Sequence, residues 1–420
     1  MMSNLIKLLL VVEILLIIVH PLQFKKITGY SGLYFNPQFL FLFLIAPLLL
    51  YTRALEPSKL VKYKQIILLI LLMWFLYFFS SMLALIFTDV NPAFPLSESI
   101  VTMFNYIILL SFASLKEDYA VFILKCLVIL GFFEFLFVYY GILGFLGVVP
   151  LSETLRSVVF EDIMRQSWTA VGFIPKWGGT FMETQMLSTL YFLCYMSVDL
   201  ISLYKEEYNK SKFYKLLKFL FAFGIVYNMS KSTLPVLILY IMITKFWKKL
   251  KLFLVPFAFL IVSVVIFSLS REEIIEIIKN PKNIEELALN YSSFGERIFH
   301  IMKTFEFMSD NLLQFFFGLG PRVYGTLISK EYPDVFGEYS NAISAFNIFQ
   351  NIGLIGFLTF MLLLLAIYSK LRTRLGKISF LVLLLAIMPQ VAWAPTFIYF
   401  FIGLLMNYDN YLNLKGGRNR

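Results

Sequence analysis

The sequence predicts an all-α fold: a polytopic helical membrane protein with about twelve transmembrane helices and one long extracytoplasmic loop. Of its 420 residues, 60% are hydrophobic and 15% are charged, and the mean hydropathy is +0.79. A soluble fold of this length could not enclose so much apolar side chain. Apolar runs of about 20 residues alternate with polar breaks, and because backbone amides cannot stay unpaired in hydrocarbon, these runs predict helices and not a barrel.

Each predicted span follows one apolar run, and the whole chain, 1–420, is predicted to be a single integral membrane domain. The spans lie near residues 4–20, 38–52, 65–87, 98–114, 120–142, 180–202, 216–230, 232–247, 250–270, 344–368, 378–393 and 396–410. No small-residue cleavage site follows the first apolar run, so we expect a span there and not a removed signal peptide. Between the spans we predict an outer loop over 150–178 and a long outer catalytic loop over 271–343, followed by C-terminal spans over 344–410.

The distribution of basic residues predicts which breaks face the cytoplasm. The net charge is +10, but the cations are spread over short breaks and form no basic domain, so we expect no nucleic-acid partner. Basic residues concentrate in four breaks, which hold Arg53, Lys59, Lys62 and Lys64; Lys205, Lys210, Lys212, Lys215 and Lys218; Lys245, Lys248, Lys249 and Lys251; and Lys370, Arg372, Arg374 and Lys377. The positive-inside rule places these breaks and both termini in the cytoplasm.

The residue types for metal, nucleotide or redox chemistry are not grouped in any familiar pattern. His20 and His300 are the only histidines, and the sequence has neither a phosphate-binding glycine loop nor a Gly-x-Ser-x-Gly stretch. Cys126 and Cys194 lie in apolar runs, so we interpret them as packing residues. We therefore expect no metal and no cofactor.

The predicted outer breaks carry scattered cations, namely Arg156, Arg165, Lys176, Lys231, Arg297 and Arg322. Arginine can grip phosphate oxygens through paired hydrogen bonds and lysine adds a compact charge, so such a set suits a lipid-linked pyrophosphate without a metal. Position favours Lys231, at the tip of a tight hairpin over 227–235, and Arg297. The alternative is that these residues are solvated loop charges or bind lipid headgroups.

An amphipathic helix is predicted inside the long loop, where it could lie flat at the bilayer interface with its apolar face down. Apolar residues recur at helical spacing at Ile298, Ile301, Met302, Phe305 and Met308, while Arg297, His300 and Lys303 follow another face. Glu296 and His300 share a face, so either could act as a general base, or the two could form a local hydrogen bond.

Three further acids are candidates for a functional role. Glu183 follows Gly178-Gly-Thr-Phe181 at the start of a span and is another possible outward-facing base. Glu13 and Glu134 fall deeper within spans, where a charge is costly. Proton coupling in a transporter and structural pairing both remain open for these two acids.

Four stretches of the sequence resemble the bacterial O-antigen polymerase and O-antigen ligase superfamily. Lys176-Trp-Gly-Gly-Thr-Phe181 is similar to the family's basic residue and glycine where an outer loop re-enters the membrane, and Ser230-Lys-Ser-Thr233 is similar to its Ser-Arg-Thr hairpin tip. Arg297, its helix and Gly318-Leu-Gly320 are similar to an element in which an arginine and a helix precede Gly-x-Gly. Phe346 to Gly356 is similar to the start of a span that ends in Gly-Leu-Ile-Gly. The resemblance implies a GT-C-like membrane architecture.

The resemblance also implies an activity. It predicts a metal-independent glycosyltransferase of the bacterial cytoplasmic (inner) membrane that joins undecaprenyl-pyrophosphate-linked oligosaccharide repeat units into lipopolysaccharide or capsule. Membrane lipids, a chain-length regulator and a flippase would be its partners. Catalytic Arg297 would bind the pyrophosphate with Lys176, Lys231, Arg322 and Arg165, while Glu296, His300 or Glu183 would accept the proton of the attacking hydroxyl.

The sequence departs from the family's pattern at several positions. Lys176 and Lys231 stand where the family commonly has arginine, which keeps the charge but loses the bidentate fork. Ligases usually have a histidine just before the span that opens at Ser344, where this chain has Ser340-Asn-Ala-Ile. That difference favours a polymerase over a ligase, which would pass glycan to a lipid A core or a protein. A flippase or other transporter and a non-catalytic scaffold are the alternatives from other classes.

Overall fold

The structure is a computed structural model that describes residues 2–18, 44–88, 90–91, 93–169, 172–181, 183–204, 211–230, 232–246, 293–309, 311–333, 344–387 and 396–417. The predicted span over 250–270 lies outside the described residues, as does the first part of the span over 38–52. Within the long loop predicted over 271–343, the described residues form helices.

Helices make up almost all of the described secondary structure. They are α1 (Met2–Ile18), α2 (Ala46–Tyr51), α3 (Pro57–Val61), α4 (Lys64–Phe87), α5 (Ala93–Ala113), α6 (Glu117–Phe145), α7 (Glu153–Gln166), α8 (Thr184–Tyr204), α9 (Lys212–Tyr227), α10 (Thr233–Phe246), α11 (Ser293–Ser309), α12 (Leu312–Phe317), α13 (Val323–Glu331), α14 (Ser344–Lys370), α15 (Arg374–Ile387) and α16 (Thr396–Gly417). Two short strands, β1 (Trp168–Thr169) and β2 (Gly172–Phe173), pair antiparallel, and Gly179–Phe181 forms a 3-10 turn.

Four helices in the described part of the chain are long and apolar enough to cross a membrane. They cover Lys64–Phe87, Pro95–Ala113, Glu117–Phe145 and Phe346–Lys370, and Thr233–Lys245 is a shorter apolar helix. These four coincide with predicted spans, so the structure fits a helical membrane protein. The total of about twelve spans and the outward position of the long loop stay predictions.

The helices at four predicted spans begin four or five residues from the predicted start. α9 begins at Lys212 and not at residue 216, and α15 begins at Arg374 and not at residue 378. α5 begins at Ala93 and not at residue 98, because Pro95 fits the first turn of a helix, where its missing N–H removes no hydrogen bond. α8 begins at Thr184 and not at residue 180, because Gly179 has a φ of 59° and takes part in a 3-10 turn before the helix.

The helices pack through aromatic contacts and through glycines that allow close approach. Phe112 of α5 meets Phe400 of α16 edge to face with ring centroids 4.6 Å apart. At the same crossing, a Cβ added to Gly403 would collide with the backbone of Leu109. Small residues at such crossings are typical of helices that pack in membranes, where van der Waals contact replaces the hydrophobic effect. Cys194 is buried against Gly131, as expected of a packing residue.

The bundle has two distinct ends. At the first, which we call the basic end, Lys59 Nζ donates to Leu115 O at 2.8 Å and Tyr408 Oη donates to Leu200 O at 2.7 Å. The carboxylate of Asp409 also accepts the backbone N–H of Arg372 there, at 2.5 Å. These contacts bring the Lys- and Arg-rich breaks around residues 53–64 and 370–377 to one side.

At the opposite end, which we call the loop end, helix termini meet the segments that link them. Ser81 Oγ donates to Pro95 O at 3.1 Å, joining α4 to the start of α5. Phe181 stacks edge to face on Phe397 with centroids 5.7 Å apart, joining the 3-10 turn to the start of α16. The stretches that resemble the glycosyltransferase superfamily lie at this end.

Candidate functional site

The turn Gly318-Leu-Gly320 is inserted into a break in α14. Within that helix Gly353 has φ 65° and ψ −166°, which is not helical. The N–H of Leu319 donates to Gln350 O at 2.8 Å, and the N–H of Gly320 donates to Asn351 O at 3.2 Å. Because Gly353 is not helical, backbone carbonyls about one helical turn before it lack their usual N–H partners within α14. The N–H groups of Leu319 and Gly320 donate to these carbonyls instead. Two of the superfamily-like stretches are therefore in direct contact.

Only glycine fits at the centre of this junction. Gly318 and Gly353 have φ values of 91° and 65°, in the left-handed region that other residues rarely adopt. A Cβ on Gly318 would collide with the backbone of Asn351, and a Cβ on Gly353 would collide with the backbone of Phe317. Ser80 Oγ of α4 donates to Asn351 O at 2.5 Å and ties the junction to the bundle.

Arg322 follows this junction and immediately precedes α13. It has a left-handed φ of 62°, which costs a non-glycine residue about 1 kcal/mol or more. Its Nη2 atom lies 2.9 Å from Glu98 Oε2 of α5, and the two side chains are 40% and 30% exposed. A strained backbone that presents a half-exposed arginine at a fixed place is typical of a binding site.

Glu98 is a residue of this site that sequence reasoning missed. The sequence analysis places residue 98 at the start of the predicted span 98–114 and gives it no functional role. α5 begins at Ala93, so Glu98 lies in its second turn, where it contacts Arg322. The available signal was a lone acid within an otherwise apolar span.

His300 is buried, 2% exposed, and its Nδ1 atom lies 2.7 Å from Tyr324 Oη. Burial raises the pKa of Tyr324 above its ordinary value, so the phenol keeps its proton at neutral pH. One turn further along α11, Thr304 Oγ1 donates to His300 O at 2.6 Å and accepts from Gln350 Nε2 at 2.5 Å. This network joins the loop helices α11 and α13 to the broken helix α14.

The structure confirms the predicted helix within the long loop but corrects its faces. α11 covers Ser293–Ser309 and buries His300, Thr304 and Met308, which are spaced by one turn. His300 therefore does not lie on an exposed charged face. Met302 and Phe305, predicted for the apolar face, belong to an exposed apolar surface and are 50% and 45% exposed, whereas Met308, predicted for the same face, is buried. His300 is buried because α11 packs on α13 and α14 through the hydrogen bonds of His300 and Thr304.

The exposed apolar residues of α11 continue onto α12, where Leu312, Leu313 and Phe316 are 74%, 46% and 40% exposed. Beside them, Phe317 packs on Phe79 of α4, with ring centroids 4.9 Å apart. α4 is apolar enough to cross a membrane, so this surface adjoins a lipid-facing helix. A position at the bilayer interface, apolar face down, stays a prediction that this surface suits.

Glu296 and Arg297 lie in the first turn of α11, and their side chains lie outside the described residues. Lys231 also lies outside the described residues, although its neighbours Ser230 and Ser232 are described. The roles predicted for these three residues stay predictions.

Lys176 lies in a buried turn at the loop end and is 5% exposed. Its backbone N–H donates to Ser167 Oγ at 2.8 Å. Trp177, next in the chain, is fully buried, and a Cβ on Gly141 would collide with its ring. Tight packing on both sides therefore fixes the backbone from which the lysine projects.

Glu134 supports the same turn from within α6. Its Oε1 atom accepts the backbone N–H of Thr180 at 2.8 Å, and a Cβ on Gly179 would collide with this oxygen. A buried carboxylate that accepts a backbone N–H has a structural task. Of the alternatives left open for Glu134, this contact favours the structural one. Glu13 is buried in α1, and its oxygens have no hydrogen-bond partner among the described residues.

The hairpin between α9 and α10 meets the Lys176 turn. Tyr227 Oη donates to Pro175 O at 2.9 Å. At the tip, Gln185 Nε2 donates to Ser232 Oγ at 3.0 Å. The N–H of Thr233, the first residue of α10, donates to Ser230 Oγ at 3.3 Å, which caps this helix. The loop that carries Lys176 and the tip that carries Lys231 therefore converge around the start of α8.

The remaining predicted residues lie nearer the surface. Glu183 is exposed just before α8, and its N–H donates to Phe181 O. Arg165 is 53% exposed and pairs with Asp162 at 3.5 Å, one turn earlier in α7. Arg156, also in α7, lies over the ring of Phe160 at 5.5 Å. The pyrophosphate role of Arg165 stays a prediction, because its observed contact is local to one helix.

Two clusters therefore carry the candidate chemistry, and both lie at the loop end. One joins Arg322 and Glu98 to the junction with α14 and to His300. The other joins the Lys176 turn to the hairpin tip. In the ranges that the structure describes, no group of three or more His, Cys, Asp or Glu residues could hold a metal ion.

Comparison with known proteins adds no family assignment. A scan against protein-family models and a search of curated proteins both find no match for this chain.

We predict that Gly353→Ala destabilises the fold by more than backbone strain alone. The change adds both a Cβ at positive φ and a collision with Phe317. Gly147→Ala is the matched control, because Gly147 has a φ of 76° but open space around its added Cβ. Thermal unfolding in detergent should show a clearly lower Tm for Gly353→Ala than for Gly147→Ala. Equal Tm values would contradict the described junction.

Proposed function

We propose that this chain is a polysaccharide polymerase, a glycosyltransferase that joins undecaprenyl-pyrophosphate-linked oligosaccharide repeat units at the outer face of the bacterial cytoplasmic membrane. The observation that carries the proposal is the docking of Gly318-Leu-Gly320 into the break at Gly353, which fixes Arg322 at the loop end. A membrane anchor for the loop and a rigidly held arginine beside it suit a substrate whose pyrophosphate lies at the membrane surface.

The position of the two clusters supports this proposal. Lys176 and Arg322 both lie opposite the basic end, which the positive-inside rule assigns to the cytoplasm. Exposed apolar residues on α11 and α12 would hold the Arg322 turn close to the lipid headgroups, where the pyrophosphate of a lipid carrier resides.

The proposed reaction transfers the growing glycan from its lipid carrier to the next repeat unit. A sugar hydroxyl of the acceptor attacks the anomeric carbon of the donor, the bond from that carbon to the pyrophosphate breaks, and a protein base accepts the hydroxyl proton. The lipid pyrophosphate leaves with the bonding electrons. Cations that bind its oxygens stabilise the charge that develops on it, which lowers the barrier without a metal. Arg322, Arg297, Lys231, Arg165 and Lys176 are the candidates for this role. Lys176 is 5% exposed, so its turn would have to open before it could bind the pyrophosphate.

Of the two candidate bases whose side chains the structure describes, Glu183 is the one that an acceptor reaches without rearrangement, because it is exposed at the loop end. His300 is buried and bonded to Tyr324, so it would need the loop helices to open. The side chain of Glu296 lies outside the described residues.

Other functions predict different results from the same experiment. We expect that deletion of the gene in its host abolishes long surface glycan on a denaturing gel while single repeat units remain attached. If polymer accumulates on the lipid carrier and no glycan, not even a single repeat unit, is attached to its final acceptor, the protein is a ligase. Intermediates trapped on the cytoplasmic face would indicate a flippase, and normal activity of variants that lack the loop-end cations would indicate a scaffold.

We predict that Arg322→Ala lowers chain extension by about a hundredfold at normal protein level, because transition-state charge loses a fixed donor. Arg322→Lys should recover part of the activity, since it keeps the charge but not the fork. Arg156→Ala is the matched control, an exposed arginine at the same end that stacks on its own helix. Glycan length on gels would measure the effect, and full extension by Arg322→Ala would exclude this arginine from the mechanism.

We predict that His300→Asn retains chain extension whereas Glu183→Gln loses it. Asparagine can replace the Nδ1 contact with Tyr324 but cannot act as a base, so it separates structure from catalysis. His300→Ala, which leaves the buried Tyr324 hydroxyl without its partner, should cost about 1–3 kcal/mol of stability. A His300→Asn variant with normal Tm and no extension would instead identify His300 as the base.

A further inference from the structure

An apolar groove lies between α2, α3 and α5, outside the candidate site. Its volume is about 340 Å³, and its lining is almost entirely apolar, with Pro47, Leu50 and Leu55 on one side and Ile107 and Leu110 on the other. Pockets of several hundred cubic ångströms are large enough for a ligand. The lining offers almost nothing that a polar molecule could bind.

The groove lies at the basic end, at the level where the helices finish. α2 ends at Tyr51 and α5 ends at Ala113, and both segments beyond them are joined by a bridge between Leu55 and Leu115. The N–H of Lys116 also donates to Ala54 O at 2.9 Å. In a membrane this level corresponds to the boundary between acyl chains and headgroups.

Cations flank the groove at this level. Arg53 and Lys116 are both exposed, and each lies two residues from a lining residue, Leu55 and Ser114 respectively. Arg53 has a left-handed φ of 55°, a strained conformation that places it at the corner after α2. Lys59 is held in place nearby by Glu56 at 3.0 Å and Leu115 O at 2.8 Å.

Carboxylates close to these cations have other structural explanations. Glu56 pairs with Lys59, which leaves Arg53 as the charge at the corner. Glu117 and Asp118 lie in the first turn of α6, where acids complement the helix dipole. The groove therefore combines an apolar interior with two exposed cations, Arg53 and Lys116, close to its lining residues.

We propose that this groove binds an anionic phospholipid, with one acyl chain between α5 and the α2–α3 corner and the headgroup phosphate on Arg53 and Lys116. Hydrocarbon is the ligand that an apolar groove facing a membrane selects, and basic residues near the surface attract anionic headgroups. The site is distinct from the loop-end clusters and does not depend on the proposed glycosyltransferase activity.

Native mass spectrometry of the full-length protein tests this proposal, with phosphatidylglycerol and phosphatidylcholine of identical acyl chains as probes. We expect wild-type protein to retain phosphatidylglycerol preferentially. Arg53→Gln together with Lys116→Gln should weaken phosphatidylglycerol retention about tenfold or more and leave phosphatidylcholine unchanged. Lys215→Gln is the matched control, an exposed lysine at the same end on α9.

A second variant tests the groove itself. Ser111→Leu places a larger side chain on the lining and should reduce retention of both lipids. If Ser111→Leu does not fold, the double variant Arg53→Gln, Lys116→Gln still tests the proposal. Equal retention of the two lipids by wild-type protein, or unchanged phosphatidylglycerol retention by the double variant, would overturn the proposal.

Discussion

The rest of the structure depends on one constraint: a backbone polar group at membrane depth must find a hydrogen-bond partner inside the protein. The break at Gly353 would violate this constraint if it stood alone, because it releases carbonyls from the helical ladder. The N–H groups of Leu319 and Gly320 and the hydroxyl of Ser80 supply the missing partners. The break in α14 and the turn from the long loop are therefore one unit, and the position of Arg322 follows from it.

The same constraint explains two of the buried carboxylates, Glu134 and Asp409. Glu134 accepts the N–H of Thr180 where the chain turns sharply beside α6, and Asp409 accepts the N–H groups of Arg372 and Thr373 at the basic end. In each case an acid on one helix caps backbone that no helix satisfies. Its backbone partner therefore accounts for Glu134, and proton coupling is not needed to explain this residue.

The sequence predicts what local patterns encode. The helical spacing of apolar residues was enough to locate α11, and the long apolar runs located α4 and α6 to within a few residues. The pattern could not show that His300 is buried, because the face of a helix that packs is chosen by its neighbours. The contact between Arg322 and Glu98 was equally hidden, since it joins residues far apart in the chain and no local spacing encodes it. Glycines were informative because their positive φ values and close contacts allow no other residue.

Three of the described cations at the loop end are accompanied by a carboxylate, which affects what they could bind. Arg322 contacts Glu98, Arg165 contacts Asp162, and Lys303 contacts Glu331 at 2.6 Å. Any anion that binds Arg322 must share or displace the Glu98 carboxylate. A pyrophosphate brings more negative charge and more acceptor oxygens than one carboxylate, so it can compete, whereas a neutral sugar or a weak monoanion cannot. In the proposed reaction, Glu98 would thus keep Arg322 oriented between turnovers and limit its ligands to strongly charged ones.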